Sequence, residues 1–185
     1  MELVAIAVVG GAVAGLLAGG SLDSLATTRF RWTPLLLASL VGQLVLQFWS
    51  PSWLTPAVSL AALLALNALV AAFLARNRRL PGTLLAAVGL LLNVAVIAAN
   101  GAMPVSEEAA RIAGIESSPS GEGFKHEPLD DDTRLPLLAD ALPAPFFRSV
   151  YSLGDIYLAL GILYLVFART RAKSRGRHSA AEEPD

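Results

Sequence analysis

Five long apolar runs, with basic residues sorted into the short stretches between them, constrain this chain more than any other feature. The runs cover about residues 3–20, 34–49, 54–75, 81–99 and 150–168. Crossing the ~30 Å hydrocarbon core of a bilayer takes roughly 20 apolar residues in an α-helix, at about 1.5 Å of rise each. A soluble domain of 185 residues is long enough to bury a core, but it would spread its apolar residues over periodic faces rather than in blocks. The expectation is an all-α, polytopic membrane helix bundle with five transmembrane helices. Residues 1–170 form one transmembrane domain, and 171–185 form a tail that is basic, then acidic. The first run opens on Glu2 and is followed by Arg29 and Arg31. That charge order is the reverse of a secretory signal, so the run is read as a genuine span. Trp32, Trp49 and Trp53 stand where interfacial aromatics are expected.

Orientation follows from the arginines. Arg29 and Arg31 lie between the first two runs, and Arg76, Arg78 and Arg79 between the third and fourth. Arg169, Arg171, Lys173, Arg175 and Arg177 follow the fifth. With five spans these three clusters, ten of the fourteen basic residues, share one side. Cytoplasmic loops carry the Lys/Arg excess, so the N-terminus is expected outside and the C-terminus inside. The segment 100–149, with nine acids against four bases, then forms an extracytoplasmic loop. An even number of spans would split the clusters across the membrane. Twelve of the fourteen basic residues are Arg, in keeping with a GC-rich bacterial source, and the expected location is the bacterial plasma (inner) membrane.

The loop is uneven. Ser106 followed by Glu107 and Glu108 reads as a capped short helix. Residues 117–123 (SSPSGEG) are turn-rich and read as flexible. The stretch 129–147, with Leu135, Leu137, Leu138, Leu142, Phe146 and Phe147, is too apolar for a free linker. It is expected to pack on the outer helix ends as a lid or to lie at the interface.

Polar residues inside spans are expensive in hydrocarbon unless partnered. They are Gln43 and Gln47 in the second span, Asn67 in the third, Asn93 and Asn100 in the fourth, and Asp155 in the fifth. Spacings of four and seven put Gln43 with Gln47, and Asn93 with Asn100, on shared faces. With Asp155 about five residues inside the last run, these residues are the candidate lining of an outward-opening ligand cavity. The plainer alternative is interhelical glue, at ~0.6–2 kcal/mol per amide, and for Asn67 glue is the preferred reading. For Asp155 the plainer role is an interfacial acid paired with Arg148 or Arg134. Gly11, Gly15 and Gly19 form a small-residue stripe suited to close helix packing, within the chain or in a homo-oligomer. There is no cysteine, which excludes disulfides and thiol chemistry. His126 and Glu127 beside Asp130, Asp131 and Asp132 are read as solvated surface rather than a metal site. No phosphate loop, zinc signature or serine-nucleophile motif is present. The expectation is no cofactor, no metal and no nucleic acid, with membrane lipid as the expected partner.

Four stretches carry a resemblance: RFRWTPLLLASLVGQL (29–44), NVAVIAANGAMPVS (93–106), KHEPL with DTRLPLLADALP (125–129 and 132–143), and SLGDIYLALG (152–161). Together they resemble an uncharacterised family of small bacterial membrane proteins classed as a domain of unknown function. That resemblance implies a bacterial membrane protein and no particular chemistry. A second, local similarity is to lipoprotein signal peptidases, which use two membrane-surface aspartates. Asp140 (in LADALPAPFF) and Asp155 (in YSLGD) resemble that pair, and the similarity implies two carboxylates sharing a proton as acid and base. The chain departs from those peptidases in having five spans rather than four and in reading SLGD where they have Asn-x-Ala-Asp. Three functions stay open: a non-enzymatic binder of a lipid, small solute or partner in a polar cavity capped by 100–149, an Asp140/Asp155 hydrolase, and an oligomeric transporter or channel.

Overall fold

The computed structural model describes residues 2–48, 54–115 and 126–172. Trp49, Trp53, residues 117–123 and the tail from 173 onward lie outside them, as do the side chains of Gln47 and His126. The chain is mostly helical. In order come α1 (Glu2–Leu17), α2 (Leu22–Ala26), α3 (Thr33–Phe48), α4 (Pro56–Arg76) and α5 (Thr83–Asn100). The loop follows, holding β1 (Met103–Val105), α6 (Glu107–Ile112), β2 (His126–Pro128), β3 (Leu142–Ala144) and β4 (Ser149–Tyr151), and then α7 (Leu153–Arg171). Among the described residues, α4, α5 and α7 are each long and apolar enough to cross a membrane. The first and second runs give shorter apolar helices. At 16 residues each, they extend only ~24 Å. The first run stops short because Gly19 turns the chain with φ +81° and Ser21 then caps α2.

The helices pack in the spatial order α1, α7, α5, α4, α3, so the last helix in sequence sits between the first and the fifth. Glycines make this possible. On α7, Gly154 lies against Gly89 and Asn93 of α5, and Gly161 lies against Gly82 and Ala86. Any Cβ at these points would overlap backbone or the Asn93 amide, so the two helices cross closely enough for their side chains to bond. Gly11 and Gly15 of α1 meet Leu163, Val166, Phe167 and Thr170 of α7 in the same chain. Of the stripe read from the sequence, Gly11 and Gly15 pack within the chain, and Gly19 stands in open space.

Phe73, Leu74, Ala86 and Leu90 form the buried core between α4 and α5, with Leu35, Leu36 and Leu158 packed around it. Elsewhere, large apolar side chains face outward on every long helix, among them Val9, Leu17, Val41, Leu84 and Leu160. Such breadth of exposed apolar surface is foreign to soluble monomers.

Hydrogen bonds tie the basic connections to one end of the bundle. Asn77, after α4, accepts from the Arg31 amide (2.9 Å) and donates to the Arg31 carbonyl (2.8 Å). Arg169 of α7 donates to Thr28 at 3.0 Å, and the Arg76 guanidinium lies 5.4 Å from the centre of the Trp32 ring. The loop caps the opposite end.

Three expectations need correction. The bundle is not purely α-helical, because the loop carries a parallel β1–β2 pair and an antiparallel β3–β4 pair. The last helix starts at Leu153, since Val150 and Tyr151 belong to β4. Asp155 therefore stands in the first turn of α7 and not deeper. Finally, of the two placements expected for the apolar loop stretch, packing on the helix ends does not hold for Leu137, 84% exposed, or Phe146, 91% exposed, which leaves the interfacial one for them. What seals the loop to the bundle is β1, whose three residues are all buried, together with Ala109 and Ala110 of the Ser106-capped α6.

Candidate functional site

Asp155 is placed by its own helix start. Ser152 caps α7 by accepting from the Asp155 amide (3.0 Å), and the Asp155 carboxylate accepts from the Ser152 amide (3.2 Å). This reciprocal capping box satisfies two of the donors that a helix N-terminus leaves open. The other carboxylate oxygen accepts from Asn93 Nδ2 of α5 at 2.7 Å. The Asn93 Oδ1 in turn accepts from the Ser152 hydroxyl at 2.9 Å. Asn93, Ser152 and Asp155 thus form a closed cycle across the α5–α7 crossing, which the paired glycines bring within hydrogen-bonding range. The sequence-based pairing of Asp155 with Arg148 or Arg134 is replaced by this cycle. Arg148 instead donates to the Gly114 carbonyl (2.8 Å), and Arg134 lies against Ala99 and Asn100.

Asp140 is placed by the loop. Its amide donates to the Pro104 carbonyl and its carbonyl accepts from the Ser106 amide, both at 2.9 Å, clamping it to the edge of β1 opposite β2. Its side chain is turned inward and only 7% exposed. Burial, and then the negative charge of Asp155, push the Asp140 carboxyl up to about 8. Desolvation disfavours the charged form of an acid, and a nearby like charge disfavours it further.

Two cavities meet at these residues. The inner one, about 330 Å³, is bounded by α1, α3, α4, α5 and α7 and roofed by Met103 and Tyr151. Gln43, Asn67, Asn93, Asp140 and Asp155 all line it. The outer one, about 390 Å³, lies under the loop between Glu2, Ala110, Ile115 and Arg148. Asp140, Tyr151 and Asp155 border both. The Tyr151 hydroxyl is buried there without a hydrogen-bond partner.

Of the sequence candidates, Gln43, Asn93, Asp140 and Asp155 come together. Asn100 does not join them: it bonds the Arg134 backbone in both directions at 2.8 Å, pinning the loop to the end of α5. The side chain of Gln47 lies outside the described residues. Asn67, which sequence alone reads as glue, is a lining residue, and its amide nitrogen bonds the Leu63 carbonyl of its own helix. Two participants escaped the sequence reading. Ser152 carried a visible signal, the Ser-x-x-Asp spacing of a capping box. Tyr151 carried none. Among the described residues no group of three or more metal-ligating side chains converges.

A family model described as a family of unknown function (DUF5317) matches residues 27–167. An uncharacterized protein of Thermotoga maritima is 31% identical over 103 residues, covering 54% of this chain and 58% of that protein. The aligned region thus spans a little over half of that relative. No solved structure matches.

Proposed function

The chain belongs to the DUF5317 family of unknown function, and from that premise we propose that it is a five-span membrane protein that binds a small polar molecule in the inner cavity. The observation that carries this reading is convergence. Four polar side chains from four different helices, and Asp140 from the loop, line one partly open cavity. Interhelical glue needs polar side chains bonded from helix to helix, and of the three amides lining the cavity Asn93 makes such bonds among the described residues, to Asp155 and Ser152. The hydrogen bonds of Gln43 and Asn67 among the described residues run to their own helices, and both residues line the cavity. A volume of a few hundred Å³ with mixed polar and apolar walls is at the small end for organic ligands.

The membrane reading is N-out and C-in, with 100–149 as the extracytoplasmic cap. It is supported by the shared end of the bundle at which Arg31, Arg76 and Arg169 are tied together, since Lys and Arg concentrate on the cytoplasmic side. On that reading the short α1 and α3 span by local thinning of the bilayer and by their flanking residues, and the location is the plasma membrane.

The test is extraction of small molecules from the purified full-length chain. Wild type is expected to carry an enriched polar compound that Asn67→Phe, which fills the cavity, does not retain. Identical extracts from both proteins would count against the reading.

A second reading, a membrane hydrolase, draws on one observation: Asp140 and Asp155 border the same two cavities, with burial first and then the charge of Asp155 pushing the Asp140 carboxyl up. In that scheme the ionised carboxylate takes a proton from water as it attacks, and the protonated one gives its proton to the leaving group. An unchanged membrane lipoprotein profile in cells carrying Asp140→Asn would dismiss it.

A further inference from the structure

The segment 133–151 differs from the rest of the loop in what it shows to its surroundings. Its charged residues are Arg134, Asp140 and Arg148, and Asp140 is buried. The other acids of 100–149 all precede it, from Glu107 to Asp132. The surface of this stretch is therefore basic and apolar. Its apolar part is concentrated in two tight turns, Pro136–Leu138 and Pro145–Phe147. Leu137 and Phe146 are the most exposed large apolar residues among the described residues of the loop. Phe146 meets Phe147 edge to face, ring centres 4.9 Å apart. Leu135, before the first turn, and Arg148, after the second, hold left-handed backbone at φ +56° and +47°, a conformation that costs a residue with a Cβ. The two turns thus present their tips in a defined geometry.

The height of the tips follows from the helices. With 18 residues, α5 is ~27 Å long and nearly matches the ~30 Å hydrocarbon core. Its last residue, Asn100, holds the Arg134 backbone in both directions at 2.8 Å. Leu137 is three residues further on, within ~11 Å of that point. The turn around it packs on α5 and α7. Both helices have apolar outward faces, with Leu84, Val88 and Leu91 on one and Leu153, Tyr157 and Leu160 on the other. In the β3–β4 hairpin, Leu142 pairs with Tyr151, two residues before α7 begins. Three strand residues carry the Phe146 tip ~10 Å from there. Both tips stand close to the level at which α5 and α7 leave the hydrocarbon.

We propose that Leu137 and Phe146 are seated in the outer leaflet of the bilayer, with Arg134 and Arg148 on its phosphates, so that lipid holds the cap over the cavity. This rests on the membrane reading above and not on what the cavity binds. An apolar tip gains by leaving water for acyl chain, and a guanidinium matches a phosphate. Arg148 uses one donor on the Gly114 carbonyl, of the five a guanidinium has. A protein partner would bury the same tips. Lipid is favoured because the bilayer already surrounds the helices on which the first turn rests, and because the stretch exposes no acid to repel phosphate. The hairpin runs from Phe146 to Tyr151, which borders both cavities, so a seated tip steadies the roof.

The chain has no cysteine, so single cysteines report position directly. The full chain is reconstituted in vesicles of phosphatidylcholine and phosphatidylglycerol as Leu137→Cys, Phe146→Cys, Glu108→Cys on exposed α6, and Leu91→Cys on the outward face of α5. Nitroxides at 137 and 146 should be relaxed by oxygen in preference to a water-soluble nickel chelate, at a depth of ~5–10 Å. The nitroxide at 108 should show the reverse, and the one at 91 should lie deeper. The bare thiols at 137 and 146 should react with a charged maleimide at least about tenfold more slowly than that at 108, because the reactive thiolate is suppressed away from water. A nitroxide favours lipid and a bare thiol does not, so agreement between them excludes an effect of the probe. Leu137→Ser combined with Phe146→Ser should speed backbone hydrogen exchange at 149–151 several-fold in vesicles. Tip nitroxides that behave like the one at 108, or tip thiols that react as fast, would overturn the proposal in favour of a protein partner while leaving the membrane reading standing. A nitroxide at 91 in water would overturn both. Unchanged exchange in the double variant would overturn the holding role of lipid.

Discussion

Replacing Asp140 with Asn should flatten the pH dependence of this protein's stability. The wild-type acid goes from an ordinary value of 3.8 to about 8 on folding. Between those two values the unfolded chain has lost a proton that the folded chain retains. Stability is set by the difference in bound protons, so the contribution from this group is fully present below pH ~4. It is lost progressively as pH rises and is gone above about 8. Four units at ~1.4 kcal/mol each set the full change at on the order of 5 kcal/mol. The side chain is only 7% exposed, so little solvent screening reduces it. Asn has no proton to lose, and the backbone clamp on Pro104 and Ser106 involves no side-chain atom. The substituted protein should therefore fold and show no such slope. The assay is thermal unfolding of both proteins in the same detergent at half-unit steps from pH 5 to pH 9. The wild-type midpoint should fall across that range relative to the variant, most steeply below pH 8. Parallel midpoints would refute the argument, because they would mean that Asp140 is ionised in the folded state at neutral pH.

Gly154→Ala puts a Cβ onto the Asn93 amide and the Gly89 carbonyl; overpacking at such a contact costs ~1–3 kcal/mol, and the unfolding midpoint should drop accordingly. Ser152→Ala removes both the α7 cap and the bond to Asn93; it should destabilise by ~1–2 kcal/mol, and Asn93→Leu combined with it should cost less than the sum of the two singles, measured by a double-mutant cycle. Asn100→Ala frees the loop at Arg134 without touching the buried core, so limited proteolysis within 101–149 should accelerate while the bundle's unfolding midpoint stays within about half a kcal/mol of wild type. Reporter fusions after residue 122 and after residue 178 should report opposite sides of the membrane, and the same side for both would refute the odd span count.

The apolar blocks and the arginine clusters suffice, by themselves, to reveal helices and their rough limits, because hydrophobic run length and charge sorting are properties of local sequence. The Ser106 cap of α6 was legible for the same reason: a cap is a contact between residues three apart. So were Gln43, Asn93 and Asp155 as costly polar groups in apolar surroundings, and Asp140 through its resemblance. Sequence could not say which faces meet. The spatial order of the helices, with α7 between α1 and α5, is set by glycines whose partners lie 65 residues away along the chain for Gly89 with Gly154, and further for Gly15 with Thr170. That crossing joins Asn93 to Asp155. The strand β1, which holds Asp140 over the cavity, pairs with backbone alone, and such pairing leaves no side-chain pattern in a three-residue strand. Local chemistry determined which residues are expensive to bury; only tertiary packing, which acts between residues distant in sequence, decided which of them share a cavity and buried the Asp140 carboxyl there.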